Sequence, residues 1–151
     1  MANYVKIEGA GGGTTGSGLT NIKMYDQNNT LIPLTKANVV EHNATTRIED
    51  ENFRVMFQEG NISPYCPYNT NTSGIYYIVK IPSDVSMISN VEVINYSSNA
   101  YAVKTVNIYY SMENKNFELL YSANSLVTNS IVNVTLNIKM VIVGILLKSN
   151  N

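Results

Sequence analysis

The chain of 151 residues has no tryptophan, one cysteine (Cys66), one histidine (His42) and two arginines (Arg47 and Arg54). A single cysteine excludes an intramolecular disulfide and any cysteine-rich metal site. A single histidine leaves zinc sites and histidine-based relays without parts. Charged residues are sparse at 14%, and the formal net charge is −1. The ten Lys and Arg are scattered, which argues against general nucleic-acid binding, because phosphate neutralisation needs clustered basic side chains. Long hydrophobic runs are missing too. MVIVGILL at 140–147 is far shorter than the roughly 20 residues of a membrane helix. It is expected to form a strand buried on both faces, with Gly144 at a bulge or a close backbone approach. The opening MANYVKIEGAGGG lacks a charged-then-apolar signal pattern, so cytoplasmic synthesis without ordinary secretion is expected. Asn-x-Ser/Thr matches at Asn43, Asn61, Asn71, Asn95 and Asn133 are then chance hits in an asparagine-rich chain.

What is present is period-two alternation. Hydrophobic residues make up 44%, enough for one globular domain with its own core. Strand candidates are Tyr4–Glu8, LTNIKMYD at 19–26, NFRVMF at 52–57, IYYIVKI at 75–81, VEVINY at 91–96 and AVKTVNIYYS at 102–111. NFELLYS at 116–122, IVNVTLNI at 131–138 and KMVIVGILLK at 139–148 continue the series. The turn QNNT at 27–30, leading into LIPL, reads as a hairpin signal. VNIYYSMENKNFELLY at 106–121 reads as another, with Met112–Asn116 as its connection. No apolar stripe at i, i+3, i+4, i+7 is sustained over three turns. Many Val, Ile, Tyr and Thr, with turn signals every 8–12 residues, predict an all-β, single-domain β-sandwich of jelly-roll type.

The glycine-rich opening, residues 1–18, is expected to be an arm, with the β-sandwich binding domain over 19–151. GGGTTG at 11–16 matches G-x-G-x-x-G, but the next segment alternates as a strand. A dinucleotide site needs a helix there, and the P-loop Lys-Ser/Thr is absent. A flexible loop, or an arm that orders against a neighbour, is the plainer reading. Cys66 and His42 could be nucleophile and base, yet single residues of each kind in a β chain are far more often unrelated. Asp26 with Asn28, or Glu49, Asp50 and Glu51, could offer oxygens to calcium. No D-x-D-x-D-G loop is present, so solvated acidic turns are expected and no metal or cofactor is assigned.

Tyrosine is the informative excess, with eleven Tyr against three Phe. It supplies rigid amphipathic area suited to sugar stacking and to protein interfaces. QEGNISPYCPYNTNTSG at 58–74 is the longest aperiodic segment, and its Pro64 and Pro67 stiffen the backbone around Tyr65, Cys66 and Tyr68. Candidate ligand-binding residues are Tyr65, Tyr68, Asn69 and Asn71 in this loop, Tyr101 in the connection 97–101, and Arg47, which with Arg54, the other arginine, is watched as a hydrogen-bond donor. No paired carboxylate at a recognisable spacing or histidine relay points to catalysis.

Three pieces carry a family resemblance. YYIVKIPSDVSMISNVEVINYSS (76–98), VKTVNIYYSMENKNFELLYS (103–122) and IKMVIVGILLKS (138–149) resemble the discoidin-like, galactose-binding-like β-sandwich superfamily, which includes coagulation-factor type C domains. Tyr110, Ser111 and Phe117 fall where that family's hairpin motif has its Tyr, Ser and Phe. The chain departs from the family in lacking its tryptophan, in reading Lys80-Ile81-Pro82 for Asp-Leu-Gly, and in having no disulfide. LTNIKMYDQNNTLIPL is similar to strands near such modules in phage tail and appendage proteins. The resemblance implies ligand binding at loops on one end of the sandwich. It also implies a non-enzymatic component of a phage virion or tail-like particle, used for attachment or decoration. The alternative is a free-standing carbohydrate-binding module. Partners expected on this basis are a cell-surface glycan or a neighbouring virion protein, in a homo-oligomer or larger assembly. Deleting residues 1–18 is then expected to weaken association while leaving the sandwich folded.

Overall fold

In Tyr4–Ala10 (β1), Val5 and Ile7 are fully buried, while the intervening Lys6 and Glu8 are half-buried on the other face. The same alternation places Ile22 and Met24 of Ser17–Tyr25 (β2), Val106 and Ile108 of Thr105–Ser111 (β7), and Val132 and Val134 of Ile131–Lys139 (β9) inside. The remaining strands are Val39–His42 (β3), Tyr68–Asn69 (β4), Gly74–Lys80 (β5), Met87–Asn95 (β6) and Glu118–Ala123 (β8). This computed structural model describes residues 3–59 and 63–139.

The strands pair antiparallel in two sheets, one ordered β3-β5-β1-β7-β8 and the other β4-β2-β6-β9. Their inner faces share one core, from Val5, Ile7, Ile75, Tyr77, Val79, Val106 and Ile108 on one side to Ile22, Met24, Val91, Val93, Val132 and Val134 on the other. The fold is an all-β sandwich. Among the described residues no helix is long and apolar enough to cross a membrane. The run at 140–147 lies outside the described residues.

The hairpin expected at 106–121 is present as β7 and β8. Ser111 organises its connection, the hydroxyl donating to the Lys115 carbonyl and accepting from the N–H groups of Glu113 and Lys115. Asn114 and Asn116 sit at φ of 57° and 55°, a region asparagine tolerates better than most residues. The register shifts between Ile108 and Tyr109, so Tyr121 faces Ile108 while Leu119 faces Tyr109.

Three expectations are corrected. The opening expected as an arm over 1–18 is, in its described residues 3–18, part of the sandwich: β1 is the central strand of the five-stranded sheet, paired along its length with β5 and β7. NFRVMF is not a strand. Asp50–Arg54 forms α1, continued by a π-helical turn over Val55–Glu59. Phe53, Met56 and Phe57 stand at i, i+3 and i+4 and are fully buried, Asp50 and Glu51 occupy the first turn where negative charge is favoured, and Arg54 pairs with Glu51. Phe53 and Phe57 each contribute about 1.5–3 kcal/mol by burial, and Phe53 meets Tyr77 edge-to-face at 6.0 Å. LIPL does not form a full hairpin strand. Leu31 makes one bridge with Tyr25, and Pro33, without an N–H, cannot extend a ladder.

Candidate functional site

Three loops meet at one end of the sandwich. The glycine-rich connection from β1 to β2 is held on both sides by main-chain hydrogen bonds. Gly12 N–H reaches Thr72 O, while Thr14, Thr15, Gly16 and Gly18 donate to carbonyls of Asn99, Ala100 and Tyr101 at 2.9–3.1 Å. The segment read as flexible is thus a strap. Its glycines serve close packing rather than phosphate binding, since β2 follows instead of a helix. A Cβ on Gly16 would collide with the Asn69 carbonyl oxygen and lie 2.9 Å from the Tyr101 ring. One on Gly18 would lie 2.8 Å from the Tyr96 ring and 3.1 Å from Tyr68 Cβ. Only glycine lets these rings approach the strap so closely.

The rings themselves form a cluster. Tyr68 and Tyr101 have centroids 4.6 Å apart, Tyr96 and Tyr101 5.2 Å, and Tyr68 and Tyr96 6.3 Å. Tyr96 is buried beneath, and Tyr68 and Tyr101 are half-exposed. The Tyr101 hydroxyl titrates above its ordinary value, through desolvation first and the neighbouring Tyr68 second. Tyr65 is 56% exposed, with the Arg47 guanidinium 5.9 Å from its ring centroid. Arg47 has φ of 57°, a left-handed conformation uncommon for its type, next to the reciprocal main-chain bonds of Thr46 and Tyr68. Tyr77 holds the loop from below by donating its hydroxyl to Pro67 O at 3.2 Å.

The structure therefore brings Arg47, Tyr65, Tyr68 and Tyr101 to one end. The two asparagines are spent differently. Asn69 is 1% exposed, its amide donating to Gly74 O and its Oδ1 accepting from Asn71 N–H. Asn71 is exposed, but its Oδ1 accepts from Ser73 N–H in a local turn. Asn69 shapes the loop instead of presenting its side chain, whereas an Asn71 amide N–H can still face solvent. Tyr96, Gly16 and Gly18 were missed from sequence. Glycines clustered just before a strand are the signal of close backbone approach that could have found them.

Cys66 and His42 do not form a nucleophile and base. The Cys66 thiol is buried, donates to Thr20 O at 2.7 Å, and burial pushes it up to about 12 from 9.0. It therefore stays a thiol rather than the nucleophilic thiolate. His42 packs against Phe53 and Tyr77, and burial, then the Lys36 charge, lowers its pKa. Asp26 closes the turn to 30 by accepting from the N–H groups of Asn28 and Thr30. In a groove of about 540 Å³ lined by Lys36, Asp50, Glu51 and Arg54, Arg54 is engaged by Glu51 and Lys36 by Ile48 O.

One pH dependence follows. Cys66 titrates higher folded than unfolded, so the stability from burying the neutral thiol is complete below about pH 9 and lost as pH rises toward about 12. Tyr77, raised further by burial, acts with the same sign above its ordinary value of 10.0. Thermal midpoints measured from pH 8 to 11 should fall across that range, and a flat profile would contradict the burial of both groups.

No known family model matches the chain, and neither does any curated protein or solved structure.

Proposed function

We propose that this chain is a non-enzymatic binding protein whose recognition surface is the tyrosine platform at the end of the sandwich. The observation that carries this reading is the convergence of Tyr65, Tyr68 and Tyr101 with Arg47, set on a strap whose glycines let the rings pack. Half-exposed tyrosines give flat apolar faces with polar tips, the geometry that stacks on a sugar ring while hydrogen-bonding its hydroxyls. The strap and the buried Tyr96 hold the rings in place before a ligand arrives, which lowers the ordering cost of binding. A glycan is the proposed ligand, with Tyr65 the most accessible face and the Asn71 amide a donor.

The setting proposed for this activity is attachment within a virion or phage-tail-like particle, made in a cytoplasm and incorporated by assembly. A specific observation favours incorporation. Among the described residues, β8 and β9 are edge strands that come together at one flank, where Leu119 (53%), Tyr121 (40%), Ile131 (64%) and, in their connection, Val127 (68%) are exposed. Apolar side chains along two adjoining sheet edges are an aggregation hazard unless a neighbouring subunit covers them. A free-standing carbohydrate-binding module is the other setting, and it predicts a soluble monomer.

The test is glycan-array binding with the intact chain and with a Tyr65→Ala, Tyr68→Ala double variant. The double change should weaken binding by about 1–3 kcal/mol. Tyr65→Ala alone touches little of the core and separates loss of a stacking face from loss of fold. Binding that survives the double change would remove the platform as the site. Sizing the protein alone, and within any particle that copurifies with it, distinguishes subunit from free module.

A further inference from the structure

We infer that the glycan engaged by the tyrosine platform carries a carboxylate, read by the Arg47 guanidinium. The inference rests on the platform reading and narrows it to an acidic sugar.

Arg47 is the cation held at the rings, 5.9 Å above Tyr65, and it is exposed. Among the described residues it has no hydrogen bond or ion pair. The only other arginine, Arg54, is engaged by Glu51 in the first helix, and a further ion pair joins Lys115 to Glu113 in the β7–β8 connection. The two arginines of the chain are therefore used differently, one to staple a helix and one left with its donors open beside aromatic faces. A guanidinium offers five N–H donors in a planar fork that matches a carboxylate in bidentate geometry, and stacking on a ring orients that fork without consuming it.

The backbone supports the same assignment. Arg47 adopts its left-handed conformation where Thr45 and Thr46 both donate to Tyr68 O and Tyr68 N–H returns to Thr46 O, at 3.0, 3.0 and 3.2 Å. That clamp ties the arginine to the strand that carries Tyr68, so cation and ring are positioned by the same bonds. Its charge reaches across the site: Arg47 opposes the upward shift that burial imposes on both Cys66 and Tyr101. A negative ligand group would meet the Arg47 charge there, and a neutral sugar would leave the fork unused.

The test is isothermal titration of the intact chain with sialyllactose against lactose, and with galacturonic acid trimer against galactose trimer, at low and high salt. The acidic member of at least one pair should bind about tenfold tighter or more at low salt, the range of a charge-assisted hydrogen-bonded pair. The preference should shrink several-fold at 0.5 M salt, as screening requires. Arg47→Asn removes the charge with a residue type that tolerates positive φ, and it should drive the acidic-to-neutral ratio toward one. Arg47→Lys keeps the charge without the fork and should retain part of the preference. Equal affinity for both members of each pair overturns the inference while leaving the platform reading intact, as does a preference that persists in Arg47→Asn. A preference for sulfated over carboxylated sugars also overturns it. Absence of binding to every glycan, acidic or neutral, removes the platform reading and this inference together.

Discussion

A chain lacking residues 1–18 is expected to be unfolded, with no cooperative thermal transition. β1 is paired on both edges, Tyr4 through Ala10 facing Lys80 through Gly74 on one side and Ser111 through Thr105 on the other. Removing it splits the five-stranded sheet and leaves β5 and β7 with unpaired inner edges. Val5 and Ile7 are fully buried and each contributes about 1.5–3 kcal/mol by burial alone. The same deletion removes the strap that backs Tyr68, Tyr96 and Tyr101, and takes Ser17 and Gly18 from the start of β2. Against a total stability of about 5–15 kcal/mol for a domain of this size, these losses leave no folded remainder. Circular dichroism melting and limited proteolysis would measure it. A truncated chain with a native melt would make β1 dispensable.

Asn95→Leu should cost on the order of 3–5 kcal/mol, the largest single-residue effect outside the aromatic core. Asn95 is 1% exposed. Its amide donates to Val103 O and Val127 O, and its Oδ1 accepts from the N–H groups of Tyr96 and Val103, all at 2.9 Å. Leucine fills a similar volume but leaves Val103 O and the N–H groups of Tyr96 and Val103 without this partner, while Val127 O keeps its bond from Ser130 N–H. Each group so stranded costs about 1–3 kcal/mol before relaxation or water entry reduces the sum. Urea midpoints should drop with the slope unchanged. The turn carrying Tyr101 should loosen, because Asn95 ties both of its ends, so ligand binding should weaken as well. A loss under about 1 kcal/mol would show that water replaces the side chain. The same burial rules out Asn95 as an N-glycan acceptor, as its sequence motif alone could not.

Local alternation made much of the sandwich legible from sequence. Val5 and Ile7, Val106 and Ile108, and Val132 and Val134 lie two apart because a strand turns successive side chains to opposite faces, and that rule needs no neighbour. Ser111 and the asparagines of 112–116 marked the hairpin for an equally local reason. The helical turn at 50–59 escaped because Phe53, Met56 and Phe57 span barely more than one turn, too short for a period of 3.6 to stand out from one of 2. The sequence by itself therefore determined that this is a β protein, where most strands run, and that its tyrosines and its two arginines are the residues to watch. Only the tertiary structure decided that the glycine-rich opening is the central strand and a strap, that Asn69 is spent on Gly74 and Asn71, and that Arg47, Tyr65, Tyr68 and Tyr101 share one end. The physical reason is that strand order and loop convergence depend on contacts between residues tens of positions apart. Such contacts are set by closing two sheets over one core, not by the spacing of neighbours along the chain.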